Sequence, residues 1–212
     1  MMSKGFDYSY YKDYKFQNAI RPIGYFICKV IFHTEYKGQE NIPSDNKPII
    51  FCPNHISAKD PVVVAMGTKR RIHFMAKEEL FKNPAVSWLL KHNNSFSVSR
   101  GKMDVDAVKY SIELIKHGRD FGIFPEGTRS KEGKPKQGKN GAAYIAKKTG
   151  ADIVPVSINK DNEKNKIIVT YGKPIKNSEF CFTDKKDKQE LIRATERIMA
   201  EITSLWEEEN CR

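Results

Sequence analysis

A chain of 212 residues, of which 39% are hydrophobic and 30% are charged, has enough apolar material to build one domain around its own core. Because its four cysteines are scattered and no apolar run reaches about 18 residues, we expect no disulfide framework, no metal site and no bilayer-spanning helix. The net charge of +11 predicts an anionic partner, namely a nucleic acid, an anionic lipid surface or a phosphorylated small molecule, although lysines also serve solubility alone.

The N-terminal segment differs from the rest of the chain, because aromatic and basic residues are interleaved with an apolar stripe. The apolar positions that recur at helical spacing are Ile20, Ile23, Ile27, Val30 and Ile31. Pro22 is expected to start or kink this helix. The pattern suits a helix that lies in a membrane interface, and it is equally compatible with a helix packed against its own domain. We therefore separate an N-terminal amphipathic membrane-interface segment, 1–34, from a second unit, 35–212.

In the second unit, short apolar runs alternate with helical patterns. The runs predicted as strands are 48–52, 71–76, 95–99, 120–124, 152–158 and 166–172. The patterns predicted as helices are 61–67, 78–92, 104–117, 140–149 and 187–209. This alternation predicts an α/β fold with a mostly parallel central sheet flanked by helices, preceded by the N-terminal amphipathic helix.

Two polar residues follow the first of these strands. His55 lies at the carboxyl end of the strand, where open α/β sheets gather their sites, and an imidazole is suited to act as a general base. Asp60 lies five positions further on, a spacing that brings the two side chains together only if the chain turns between them. Pro61 favours the simpler interpretation of Asp60 as a helix N-cap, and the two hypotheses are compatible.

A second block, FPEGTRS at 124–130, also comes directly after a predicted strand. It combines a carboxylate, Glu126, a turn glycine, Gly127, and a fixed cation, Arg129. The planar guanidinium of an arginine matches the oxygens of a phosphate, and backbone amides of a tight loop can assist it. A basic loop then leads into the helix predicted from residue 140, whose start is a candidate anion site.

The order and spacing of NHISAKD and FPEGTRS resemble the glycerolipid acyltransferase family, most closely its bacterial 1-acylglycerol-3-phosphate acyltransferases. The family's first block is matched by Asn54, His55 and Asp60, and its third block by the residues from Phe124 to Arg129. The second and fourth blocks resemble FSVSRG and IVPVSI, and the stretch AKEELF resembles another part of the family. The glycine that usually precedes the second block is replaced here, in HNNSFSVSRG.

This resemblance implies an enzyme that transfers a fatty acyl group from a thioester, carried by acyl carrier protein or coenzyme A, to the hydroxyl of lysophosphatidic acid. The product would be phosphatidic acid for phospholipid synthesis, made by a peripheral protein at the cytoplasmic face of the cell membrane, on an anionic membrane surface. It implies no cofactor, no metal and no nucleic acid as partner. Residues 35–212 would then be the acyltransferase catalytic domain.

The resemblance also assigns roles to individual residues. His55 would be the general base and Asp60 the acid that orients it. The acceptor would be attacked directly, without an acyl-enzyme, because the sequence has no GxSxG elbow. The substrate-binding candidates are Lys77, Arg100, Glu126, Gly127, Thr128 and Arg129. Pro155 is a candidate for the acyl groove.

Three alternatives stay open at this point. Within the acyltransferases, the acceptor could be glycerol 3-phosphate or another lysophospholipid. A basic nucleic-acid-binding protein is disfavoured, because the lysine-rich stretch 131–148 has only Tyr144 for stacking and no recognition motif is found. A cysteine hydrolase that pairs Cys52 with His55 is also disfavoured, since a cysteine in a buried strand is usually inert.

Overall fold

The elements follow the predicted alternation. The computed structural model of the chain describes residues 15–84, 87, 95–98, 105–130, 132–161, 163, 165–183 and 187–211. Its α-helices are α1 Lys15–Phe26, α2 Asp60–Met66, α3 Val105–Lys116, α4 Gly141–Thr149 and α5 Lys188–Asn210. Its strands are β1 Thr34–Lys37, β2 Ile49–Pro53, β3 Ile72–Lys77, β4 Ser95–Val98, β5 Asp120–Gly122, β6 Asp152–Asp161 and β7 Lys166–Tyr171. A π-helix and short 3-10 helices lie at Ile27–Ile31, Gln39–Asn41, Glu78–Lys82 and Asn177–Phe180.

The strands form one sheet in the order β1-β7-β6-β2-β5-β3-β4. Neighbouring strands are parallel except β6 and β7, which pair in antiparallel register from Val156 opposite Tyr171 to Asp161 opposite Lys166. The predicted α/β fold with a mostly parallel central sheet and flanking helices is therefore confirmed. The sequence does not predict β1, because TEYK contains no apolar run of the kind that marks a buried strand.

Strand β5 and the helix predicted at 78–92 differ from the sequence pattern. Strand β5 ends at Gly122, although the apolar run 120–124 predicts two more residues. The helix predicted at 78–92 is wrong in its first part, where Glu78–Lys82 form a 3-10 helix. Pro84 explains this, because a proline has no backbone N–H to give and disfavours helical conformation in the residue before it. Most of the rest of that prediction lies outside the described residues.

The sheet has an apolar layer on each face, and the alternation of side chains along β2 supplies both. Ile49 and Phe51 point to the face that is covered by α2 and by the segment after α1. Ile50 and Cys52 point to the opposite face, which is covered by α3, α4 and α5. All four side chains are at most 1% exposed, so β2 is a central strand that holds the site at a fixed position.

Helix α1 continues through Pro22 into the π-helix, so the expectation that Pro22 starts the helix is wrong. One side of this segment packs on α2: Arg21 Nη2 donates to the carbonyl of Ala65 at 2.9 Å, and Gly24 lies against Met66. The other side leaves large apolar side chains exposed, namely Ile23, Tyr25, Phe26, Val30 and Ile31. Within the described ranges, no helix combines the length and the apolar character that crossing a bilayer requires.

A partly buried ion pair lies at the edge of the sheet that is opposite the carboxyl end of β2. The guanidinium of Arg70 donates to both carboxylate oxygens of Asp120, from Nε at 2.8 Å and from Nη2 at 2.7 Å. Arg70 Nη1 also donates to the carbonyls of Pro43 and Asp45 at 2.8 Å, and the backbone N–H of Ile49 donates to Asp120 Oδ1 at 3.0 Å. The pair therefore fixes the starts of β2 and β5 relative to each other.

We expect Arg70→Met to lower the free energy of unfolding by about 3–5 kcal/mol, because it leaves the Asp120 carboxylate buried without its partner. Denaturant unfolding of the full chain measures the change. The control is Lys69→Met, which removes an exposed neighbouring charge and should change stability by no more than about 0.5 kcal/mol. Equal effects of the two substitutions would show that the ion pair does not hold this edge together.

Candidate active site

The site begins where the chain leaves β2, and Asn54 holds that point. The side chain of Asn54 is fully buried, its Nδ2 donates to the carbonyl of Ile158 at 3.0 Å, and its Oδ1 accepts from the N–H of Ile158 at 2.6 Å. The side-chain amide thus pairs with β6 as a backbone peptide would. This pairing anchors the end of β2 while the main chain turns towards His55.

His55 and Asp60 are in direct contact. His55 Nδ1 lies 2.7 Å from Asp60 Oδ2, and the backbone N–H groups of Ile56 and Ser57 donate to the same oxygen, each at 2.7 Å. Because an ionised carboxylate only accepts hydrogen bonds, the proton of the neutral imidazole lies on Nδ1. This leaves Nε2 as the nitrogen with a lone pair, and no described residue forms a hydrogen bond to it.

Asp60 is the first residue of α2 and not its N-cap, which is Lys59 and which makes no side-chain capping bond. The interpretation of Asp60 as a plain cap is therefore wrong in this structure. Its carboxylate turns back to the residues that precede the helix, because three donors converge there. The side chain is only 2% exposed, and three hydrogen bonds compensate the cost of removing a carboxylate from water.

The imidazole of His55 is also held by a stacking contact. The ring of Phe124 lies nearly parallel to it, with the two centroids 4.0 Å apart, and Phe74 stacks on Phe124 at 5.7 Å. The side chain of His55 remains 17% exposed, so a ligand can reach it from solution. The sequence gives Phe124 no role of its own, because the contact arises only when β5 ends at Gly122 and frees the next residues from the sheet.

The second polar block contacts the first through the backbone of His55. The N–H of His55 donates to Glu126 Oε1 at 3.1 Å, and the N–H of Ser130 donates to the carbonyl of His55 at 2.7 Å. Gly127 closes the turn between them: its N–H donates to the carbonyl of Phe124 at 3.0 Å, with a φ of +69° that favours glycine. Burial raises the pKa of Glu126.

The other predicted residues lie at different distances from this centre. Gly127, Thr128 and Arg129 form an exposed turn beside His55, and no side chain among the described residues pairs with the guanidinium of Arg129. Lys77 is the last residue of β3, but its side chain and the whole of Arg100 lie outside the residues that the structure describes. The substrate-binding roles of these residues stay predictions.

Pro155 and Cys52 lie opposite each other in the register of β6 and β2. Both are buried, so Pro155 belongs to the interior of the sheet, and its role in an acyl groove stays a prediction. Burial raises the pKa of the Cys52 thiol and keeps it neutral. A neutral, fully buried thiol is a poor nucleophile, which argues against the hypothesis of a cysteine hydrolase.

Comparison with known proteins supports the same region as a functional unit. Residues 33–159 match the family model described as Acyltransferase. The 1-acyl-sn-glycerol-3-phosphate acyltransferase of Bacillus subtilis is 32% identical over 174 residues, which cover 79% of this chain and 85% of that protein. The chloroplastic enzyme of the same name from Brassica napus is 31% identical over 153 residues, 68% of this chain, and this chain spans only 44% of its length.

A solved structure is similar as well. The 1-acyl-sn-glycerophosphate acyltransferase from Thermotoga maritima superposes with a TM-score of 0.71 at 27% sequence identity. The match covers 97% of this chain and 87% of that chain. The similarity therefore extends over the sheet, the flanking helices and the N-terminal helix, and not only over the two polar blocks.

The raised pKa of Glu126 predicts how stability changes with pH. Folding favours the neutral form of the Glu126 carboxyl. The stability that this group contributes is therefore fully present below its ordinary pKa of 4.5, and it is lost as pH rises through the raised pKa of the folded state. Glu126→Gln stays neutral and lacks this loss. The Tm of Glu126→Gln relative to wild type should therefore increase between pH 4.5 and about pH 8, as measured by thermal unfolding.

The control for this experiment is Glu132→Gln, an exposed glutamate on the following loop. Its Tm relative to wild type should not change over the same pH range. A Tm difference for Glu126→Gln that stayed constant or decreased with rising pH would contradict the effect of burial on this carboxyl.

Proposed function

The chain belongs to the acyltransferase family, and from that premise we propose that it transfers a fatty acyl group from a thioester to the free hydroxyl of 1-acylglycerol 3-phosphate. The product is phosphatidic acid, a precursor in phospholipid synthesis. The acceptor is supported by the names of the relatives from Bacillus subtilis and Brassica napus. The chemistry is supported by one observation above all, the 2.7 Å contact between His55 Nδ1 and Asp60 Oδ2.

His55 acts as the general base. Its Nε2 takes the proton from the acceptor hydroxyl while that oxygen attacks the carbonyl carbon of the thioester. The tetrahedral intermediate then collapses, the carbon–sulfur bond breaks, and the leaving thiolate takes the proton from the imidazolium. The products are the new ester and a free thiol. No covalent acyl-enzyme is needed, because the acceptor oxygen is itself the nucleophile.

Asp60 orients the base and stabilises its charged form. The imidazolium that forms during proton transfer carries its charge next to a carboxylate that is already fixed by two backbone N–H groups. Preorganised groups of this kind need no rearrangement during the reaction, and they contribute more in a site that is partly shielded from water. Phe124 stacks on the imidazole and restrains its rotation.

The donor is either acyl-coenzyme A or an acylated acyl carrier protein, since both present the acyl group as a thioester. Arg129, exposed on the turn beside His55, binds the acceptor phosphate, and Lys77 and Arg100 are its proposed partners. Binding the phosphate away from the reacting hydroxyl positions that hydroxyl at Nε2, and such positioning can supply a large share of the rate enhancement.

We expect His55→Gln to lower kcat by about a hundredfold to ten-thousandfold, because the acceptor hydroxyl then has no base. The assay follows a radiolabelled acyl group on thin-layer chromatography, with lysophosphatidic acid and glycerol 3-phosphate offered side by side. His117→Gln, at an exposed histidine, is the control and should keep full activity. Wild-type turnover in His55→Gln would refute this mechanism. Preferential labelling of glycerol 3-phosphate would show that this compound, and not lysophosphatidic acid, is the acceptor.

Asp60→Asn tests the orienting role separately. The amide oxygen of an asparagine can still accept the N–H groups of Ile56 and Ser57, so the turn should persist and Tm should change little. The amide carries no charge for the imidazolium, so kcat should fall by about a hundredfold or more. Unchanged kcat in this variant would leave Asp60 with a purely structural role.

We further propose that the chain is a peripheral protein on the cytoplasmic face of the cell membrane, since its acceptor and product are membrane lipids. The exposed apolar side of the segment formed by α1 and the π-helix supports this. The site is near this segment, because Lys59, which precedes Asp60, has its Nζ 4.2 Å from the ring centroid of Phe32. An apolar side that enters the interface would bring the site to the lipid surface.

The double substitution Phe26→Glu and Ile31→Glu tests this anchoring. Both side chains are 61% exposed, so the fold should persist while binding to vesicles weakens by about tenfold or more. Flotation with vesicles that contain anionic lipid measures the change, and high salt should weaken binding of the wild type without abolishing it. Val105→Glu, an exposed apolar position on α3, is the control. Unchanged flotation of the double variant would refute the anchor.

A further inference from the structure

We propose that Lys139 is a further phosphate-binding residue of this site, and that it binds the acceptor phosphate together with Arg129. This assignment rests on the proposed function. Lys139 lies outside the sequence blocks that resemble the family, in a loop whose several lysines look alike in the sequence. Only the folded chain distinguishes it from its neighbours.

The backbone of Lys139 is fixed to the turn that carries Arg129. Its N–H donates to the carbonyl of Pro125 at 2.7 Å, so the basic loop returns to the turn just before α4 begins at Gly141. The turn is in contact with His55 through Glu126 at one end and Ser130 at the other. A single hydrogen bond thus connects the backbone of Lys139 to the turn that borders His55.

The side chain of Lys139 extends across Gly127. A methyl group on Gly127 would lie 3.0 Å from Lys139 Nζ and 3.1 Å from its Cδ and Cε, which is closer than side-chain atoms normally approach. Gly127 therefore serves two purposes. It provides the positive φ of the turn, and it leaves the space in which the lysine reaches the rim of the site.

Among the residues that the structure describes, no acidic side chain pairs with the charges at this rim. Lys139 and Arg129 are both exposed, and no carboxylate of the described residues lies within 4.0 Å of either cation. The carboxylate of the same block as Arg129, Glu126, turns inward and accepts the N–H of His55. Two cations beside one glycine turn, without an acidic partner in the described part of the chain, match a ligand that carries two negative charges, such as a phosphate monoester.

A thioester donor carries phosphates of its own, so Lys139 could bind the phosphate of the acceptor or that of the donor. Steady-state kinetics distinguish the two. Initial rates are measured with the full chain on neutral vesicles, first with lysophosphatidic acid varied and then with the acyl donor varied. For Lys139→Gln we expect the KM for lysophosphatidic acid to rise about tenfold, with kcat and the KM for the donor unchanged. Lys139→Arg keeps the charge and should recover most of the affinity.

The matched control is Lys134→Gln, which removes the same charge from an exposed position of the same loop. It should leave both KM values unchanged. An unchanged acceptor KM in Lys139→Gln, an equal rise in Lys134→Gln, or a rise confined to the donor KM would each overturn the proposal.

A second measurement decides the proposal independently of turnover. Inorganic phosphate is titrated into wild type and Lys139→Gln while the amide signal of Gly127 is followed by NMR. We expect wild type to bind phosphate about tenfold more tightly than the variant. Equal affinities would refute the role of Lys139, whereas a failure of wild type to acylate lysophosphatidic acid would contradict only the proposed function.

Discussion

Three donors converge on one carboxylate oxygen, Asp60 Oδ2, and the geometry of the site depends on this convergence. The imidazole of His55 and the backbone N–H groups of Ile56 and Ser57 all lie 2.7 Å from it. A buried carboxylate is costly unless its hydrogen bonds are satisfied, so the turn that presents these donors and the carboxylate stabilise each other. One interaction thereby selects the tautomer of the base, fixes its orientation and closes the turn between strand and helix.

The sheet explains why the two polar blocks meet. Strands β2 and β5 are parallel neighbours, so the residues that follow them leave the sheet at the same edge. His55 then bonds to both Glu126 and Ser130, while Asn54 ties the end of β2 to β6 on its other side. At the opposite edge, the Arg70–Asp120 pair fixes where the same two strands begin. The site is therefore held by both ends of two central strands.

Much of this architecture follows from sequence patterns, and the exceptions have physical reasons. Buried parallel strands appear as apolar runs, whereas the edge strand β1 is polar and has no such run. The antiparallel direction of β7 has no local signature, because strand direction is set by the connection and the partner. Spacing alone could not decide between Asp60 as a cap and Asp60 as an orienting acid, since only the turn brings it to His55. Lys139 is indistinguishable from other loop lysines in the sequence, because only the fold places its side chain over Gly127.

In the proposed mechanism, Asp60 holds the imidazole with its proton on Nδ1 and leaves Nε2 free to act as the base. The ¹⁵N chemical shifts of the two ring nitrogens of His55, measured with the ring neutral, test this most directly. We predict a protonated Nδ1 and an unprotonated Nε2 in wild type, and a loss of this preference in Asp60→Asn. A proton found on Nε2 in wild type would contradict this mechanism, because Nε2 could then not accept the proton of the acceptor hydroxyl.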